Sequence, residues 1–142
     1  PNSVTEIGEE AFEDCELLKE VVLPNCITKI NRRTFTSCYS LTKIAIPEAV
    51  TSIGDMAFYC CESLKSLIFP NNLTEIEDNA FDGCNSLTSV YCKPTTPPAG
   101  DSYMFNNNAK GRKIYVPRNS VDAYKAAEYW SDYADYIVGY DF

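Results

Sequence analysis

"AFYCCESLKSLIFP" occupies residues 57–70, and near copies stand at 11–24 ("AFEDCELLKEVVLP"), 34–47 ("TFTSCYSLTKIAIP") and 80–93 ("AFDGCNSLTSVYCK"). The interval is 23 residues each time. Phe12, Phe35, Phe58 and Phe81 form one column, Cys15, Cys38, Cys61 and Cys84 a second, and Leu18, Leu41, Leu64 and Leu87 a third. Val21, Ile44, Leu67 and Val90 follow, then Leu23, Ile46, Phe69 and Cys92. Upstream of each phrase lie Val4, Ile27, Val50 and Leu73, then Ile7, Ile30, Ile53 and Ile76, with Thr5, Thr28, Thr51 and Thr74 between them. A fixed period of this length is the signature of a solenoid. One unit buries too few apolar groups to offset the ordering of its own chain, so units must stack and share a core.

Local patterns assign the parts of a unit. The tails "LKEVVL", "LTKIAI", "LKSLIF" and "LTSVYC" end in an in–out–in alternation, which is strand periodicity. Pro24, Pro47 and Pro70 end three of these strands, since proline donates nothing to a ladder. "VTEI", "ITKI", "VTSI" and "LTEI" read as a second, short extended stretch. "GEEAFEDC" and its counterparts predict a turn into one helical or 3₁₀ turn that drops Phe and Cys into the core. The fold class predicted is an α/β repeat: a right-handed solenoid with a parallel β-sheet along one face.

The pattern P-x-x-V-T-x-I-G-x-x-A-F-x-x-C-x-x-L-x-x-V-x-L resembles the BspA-like leucine-rich repeats of bacterial surface proteins, over roughly the first two-thirds of the chain. Asn31 and Glu77 depart from the Gly8 and Gly54 column, Thr34 from the Ala column and Lys93 from the Pro column. The final column of the general signature runs Cys26, Ala49, Asn72, Thr95, so no continuous Asn ladder is expected. The resemblance implies a secreted or cell-surface location and adhesion to host, neighbouring-cell or matrix proteins.

Three parts of a single structural domain are expected: four repeats over 1–92, a degenerate fifth coil over 93–117 and a C-terminal cap over 118–142. "KPTTPPAG" is a Pro-rich loop, after which Phe105, Ile114 and Val116 repeat the pattern at 24 residues, with "KIYVP" as a strand. "NSVDAYKAAEYW" predicts a capping helix that starts at Asn119 or Ser120. Val121, Tyr124, Ala127 and Trp130 would face the core, with Lys125 and Glu128 in solvent. The ending also resembles the terminal segment common in these surface proteins. Pro1 stands at a repeat boundary with no signal-like segment before it, so a fragment, or a chain trimmed of its signal, is expected.

Composition narrows the function classes. A net charge of −8 argues against nucleic acid, whose phosphates demand Lys and Arg. No apolar run is long enough to span a bilayer. The chain has no His, which removes His-based acid–base and nucleophile pairs. Seven Cys cannot all pair within one chain. The Cys column reads as small buried hydrophobes, with disulfides or a metal as lesser alternatives; ligands spread along a line do not converge tetrahedrally. Cys60, beside Cys61, is expected outward and reactive. Charges in neighbouring repeats, Glu9–Arg32–Asp55 and Glu6–Lys29, are expected to pair across coils. No catalytic group, metal or cofactor is expected.

The outward strand positions are the candidate binding residues. One column is Val22, Ala45, Ile68, Tyr91 and Tyr115, grading from apolar to aromatic; the next is Glu20, Lys43, Ser66 and Ser89. Contiguous exposed apolar surface marks interaction sites, although strand propensity alone also favours such residues. The function expected is non-catalytic binding of a protein partner through the sheet face. The alternative is a carbohydrate-binding accessory domain stacking sugars on Tyr91, Tyr115 and Tyr103. A hydrolase with an Asp/Glu pair is a third class, but nothing sets two carboxylates in a defined pocket.

Overall fold

The computed structural model describes all 142 residues. Each repeat after the first contributes one strand to each of two faces of parallel strands, and the first repeat contributes to one face only. The first face comprises β1 (Glu20–Val21) paired with β3 (Lys43–Ile44), and next to them a separate four-stranded ladder of β5 (Ser66–Phe69), β7 (Ser89–Cys92), β8 (Lys113–Pro117) and β9 (Ile137–Tyr140). The second comprises β2 (Lys29–Ile30), β4 (Ser52–Ile53) and β6 (Glu75–Ile76), prolonged by a bridge from Glu75 to Ala99. Register follows the repeat: Glu20 faces Lys43, Ser66 faces Ser89 and Ser52 faces Glu75. Ser89 then faces Lys113, where one inserted residue lengthens the coil. This is a right-handed leucine-rich-repeat solenoid with a short C-terminal helix.

The apolar columns converge on one cluster of 32 buried residues. The phenylalanine rings form a single internal row, with centroids 5.3 Å apart from Phe12 to Phe35 and 5.2 Å apart for each of the next two steps. Phe105 continues it at 5.6 Å from Phe81. The cysteines form a second row. Cys38, Cys61 and Cys84 donate their thiols at 3.2 Å to the carbonyls of Phe12, Phe35 and Phe58 in the preceding coil. At the equivalent place in the fifth coil Asn108 Nδ2 donates to the carbonyl of Phe81, so an amide replaces the thiol where the column changes residue. All seven cysteines are free.

The segment between the two ladders is not the helical turn predicted. Residues 10, 33, 56, 79 and 103, and again 14, 37, 60, 83 and 107, have left-handed φ between 50° and 76°. Their effect shows in the amides of the second coil. Arg33, Phe35 and Ser37 donate to Asp55, Ala57 and Tyr59 of the next coil, whereas Thr34, Thr36 and Cys38 donate three residues back. A helix would turn every amide inward along its own axis; the left-handed residues turn alternate amides toward the neighbouring coil instead.

The departures from the Gly column have a structural answer. Asn31 Nδ2 donates to the carbonyl of Ile7, and Glu77 Oε2 accepts from the amide of Asp55, so each side chain bonds the preceding coil. Gly54 has no such freedom: a Cβ there would stand 2.7 Å from the Arg32 backbone nitrogen. In the last signature column only Asn72 reaches back, to the carbonyl of Glu48, so there is no Asn ladder.

The cap departs from expectation in detail. A 3₁₀ turn at Arg118–Ser120 leads into α1 (Val121–Ala126), and the chain is extended again at Ala127. Neither Asn119 nor Ser120 caps the helix. Ser120 Oγ donates instead to the carbonyl of Thr95. Tyr124 and Trp130 are nonetheless buried, with Val121 and Ala127 half-buried, while Lys125 and Glu128 are exposed. A second 3₁₀ stretch, Trp130–Tyr136, then delivers β9 to the sheet. The cap hangs on the Pro-rich loop: Tyr124 Oη donates to the carbonyl of Pro94 and Trp130 Nε1 to that of Pro98. Prolines have no amide with which to continue a ladder, and here their free carbonyls receive the cap.

Candidate functional site: the outward face of the first sheet

Alternation along each strand sends odd and even residues to opposite sides, so the core residues Leu67 and Phe69 dictate that Ser66 and Ile68 face out. All nine candidate residues lie on this outer side, and the register sets their order. Glu20 and Lys43 are opposite one another and joined at 3.1 Å. Ser66, Ser89 and Lys113 follow in that row. In the neighbouring row Ile68, Tyr91, Tyr115 and Val138 are consecutive partners. Val22 and Ala45 stand one residue beyond the paired part of β1 and β3. Val22 is the most exposed large apolar side chain, at 94%, and Ile68 is exposed at 53%.

The tyrosines form a compact cluster. The Tyr91 and Tyr115 rings stack at 4.7 Å and 12°, and Tyr140 stands edge-on to them at 5.3 and 5.5 Å. Phe142 packs edge-on against Tyr140 at 4.9 Å. Tyr140 and Phe142 carried no sequence signal, because only β9 brings them beside the repeat strands. With Ile68, Tyr91, Lys93 and Asp141 they line a cleft of about 360 Å³. A second depression, sharing Ile68 and Lys93, runs from there to Lys43 and Ala45. A third, sharing Lys43 and Ala45, continues to Glu20 and Val22. Three adjoining depressions therefore run along the outer face, aliphatic at the first coil and aromatic at the last.

Three cations of this face are paired, while Lys113, exposed in the outer row, has no ion-pair partner. Lys43 pairs with Glu20, Lys93 with Glu48 at 2.9 Å, and Arg118 with Asp141 at 2.6 Å. The Lys93 hydrogen bond holds the Glu48 carboxyl below its ordinary range. Elsewhere the expected Arg32–Asp55 pair forms at 3.4 Å, but the second partner of Arg32 is Glu10 and not Glu9, and Lys29 meets Glu77 and not Glu6. Tyr103 is 62% exposed at a left-handed turn position and is not among the groove residues. Cys60 is half-buried, and burial pushes its thiol up, so it is not the open thiol expected; Cys26 is the exposed one.

A model of the BspA-type leucine-rich repeat region matches residues 1–110 in six copies. No curated protein matches the chain. Among solved structures, a leucine-rich repeat protein from Bacteroides ovatus is 25% identical over 82% of this chain and 38% of its own, with a TM-score of 0.53. The pneumococcal vaccine antigen PcpA is 19% identical over 100% of this chain and 40% of its own, with a TM-score of 0.71, a likeness of fold. The chain thus spans well under half the length of either. No helix is long and apolar enough to cross a membrane. With its 23-residue phrase, its paired ladders and its matching repeat model, the chain belongs to the BspA-type leucine-rich repeat family.

Proposed function

We propose that the chain is a non-catalytic protein-binding module of a secreted or cell-surface bacterial protein, serving adhesion through the outward face of its first sheet. The observation that carries this reading is the apolar strip from Val22 through Ile68 to the Tyr91–Tyr115–Tyr140–Phe142 cluster, beside which Lys43 and Lys93 are already paired with Glu20 and Glu48. Matched charges offer little net attraction, so affinity would come from burying the apolar and aromatic strip. The partner this fits is a host, neighbouring-cell or matrix protein that presents apolar side chains. The extracellular setting is supported by the family and by the shared fold with a vaccine antigen.

The test is a screen of matrix and cell-surface proteins beside a glycan array, repeated with Tyr91→Ala, Tyr115→Ala and Tyr140→Ala. A protein hit weakened on the order of tenfold or more by these substitutions is expected, as for an aromatic hot spot. Hits indifferent to all three would remove the groove from the account. Saccharide hits without protein hits would replace the reading with the carbohydrate one. The Tyr91 and Tyr115 rings already cover one another, which leaves less open ring face for a sugar.

A further inference from the structure

The outer row of the first sheet alternates in height. Val22 and Ile68 stand out, at 94% and 53% exposure, with the short Ala45 in the coil between them. Ala45 lines two of the three depressions. One strand beyond Ile68, Tyr91 lines the third together with Tyr140 and Phe142. The two receptive places, over Ala45 and beside Tyr91, are thus two strands apart, with Ile68 as the ridge between them.

That interval limits the conformation of a segment that fills both. Neighbouring strands lie about 4.8 Å apart, so the two places are separated by about 9.6 Å. The stacked Tyr91 and Tyr115 rings, one strand apart, keep the same step at 4.7 Å. An extended peptide repeats a side chain on one face every ~6.7 Å, and two turns of α-helix advance about 10.8 Å. Three residues of polyproline II advance about 9.3 Å, which meets both places in step.

The chemistry of the face points the same way. The main chain of β5, β7 and β8 is committed to its own ladder, so this face has no backbone edge to which a strand could add. The hydroxyls of Tyr124 and Tyr133 are engaged within the fold, whereas those of Tyr91 and Tyr140 are not hydrogen-bonded and remain as donors. Lys43 and Lys93, the cations that line the depressions, already pair with Glu20 and Glu48. The ligand selected is neutral and apolar, with carbonyls to accept and no amides that need a partner. Proline has no N–H, and a polyproline II chain leaves its carbonyls free because it makes no internal hydrogen bonds.

We propose, resting on the sheet face as the binding surface, that its partner is a proline-rich segment in the polyproline II conformation. The segment runs along the row, with residues i and i+3 seated over Ala45 and against Tyr91, Tyr140 and Phe142. Its carbonyls accept from the two tyrosine hydroxyls, as aromatic-lined grooves serve such segments elsewhere.

The experiment follows the β5 and β7 amide resonances of the ¹⁵N-labelled chain during titration with a capped peptide of four Pro-Pro-Leu triplets. One comparator, four Gly-Ser-Leu triplets, keeps the leucine spacing without the stiff backbone. The other is an alanine-based helical peptide with the same number of leucines. A saturable shift is expected with the proline peptide, and midpoints weaker on the order of tenfold with both comparators. Tyr91→Phe and Tyr140→Phe, which keep the rings, should each weaken the proline peptide about fivefold through a lost hydrogen bond. No saturable shift, equal midpoints for the three peptides, or a midpoint unmoved by both variants would each overturn the proposal. The sheet-face reading is judged separately, by whether Tyr91→Ala, Tyr115→Ala and Tyr140→Ala weaken the protein hits. Protein hits lost on those substitutions beside a silent proline peptide would overturn the conformation assigned to the partner and leave the surface standing.

Discussion

Phe12 and Phe105 hold the same place in the first and last coils, yet their surroundings differ. Phe12 is half-buried, stacked on Phe35 alone. Phe105 is fully buried, between Phe81 on one side and Trp130 and Tyr133 on the other. Cys15, Leu18 and Val21 are likewise half-buried where Cys38, Leu41 and Ile44 are buried. In a stack, a side chain's contribution depends on having a neighbour on both sides, not on its identity.

The sharpest way to break this comparison is to truncate both rings. Phe105→Ala should cost about 3–5 kcal/mol, the range for a fully enclosed aromatic, and Phe12→Ala about 1–2 kcal/mol. Denaturant titration of the two variants measures both. Equal losses would show that the first coil is as well shielded as the last.

A smaller effect separates two glycines of one column. Gly54→Ala sets a methyl group 2.7 Å from backbone and should cost about 1–3 kcal/mol. At Gly8 nothing lies within 4 Å, so the same substitution should leave the thermal midpoint unchanged.

The thiols give the mildest contrast. Burial, then the neighbouring Cys15, pushes the Cys38 thiol from 9.0 up to about 11. Burial also raises Cys61, Cys84 and Cys92. In native protein a maleimide should modify Cys26 first, and these four only after unfolding, as mass spectrometry would record. Because the folded state favours the neutral thiol, Cys38 contributes stability that is complete below pH 9 and lost as pH rises toward about 11. A chain whose denaturation midpoint does not fall across that interval would contradict the burial of this row.

Much of this was legible beforehand, because the period places each inward residue without knowledge of the chain's path. Phe, Cys and Leu columns, the extended stretches other than "VTEI" at 4–7, which pairs with no strand, and the outer row from Val22 to Tyr115 follow from counting. The left-handed turns were not legible. Asp14, Asn79, Gly83 and Asn107 are residue types that tolerate positive φ, but Glu10, Arg33, Met56, Cys60 and Tyr103 hold the same conformation only because their coils are in register. The aromatic end of the groove was half visible. Tyr91 and Tyr115 are repeat positions, whereas Tyr140 and Phe142 arrive on a strand outside the period.

The alternating amides of the turns have a mechanical consequence. Because they point along the axis from one coil to the next, a pull on the two ends stretches them in series and peels the molecule open like a zipper.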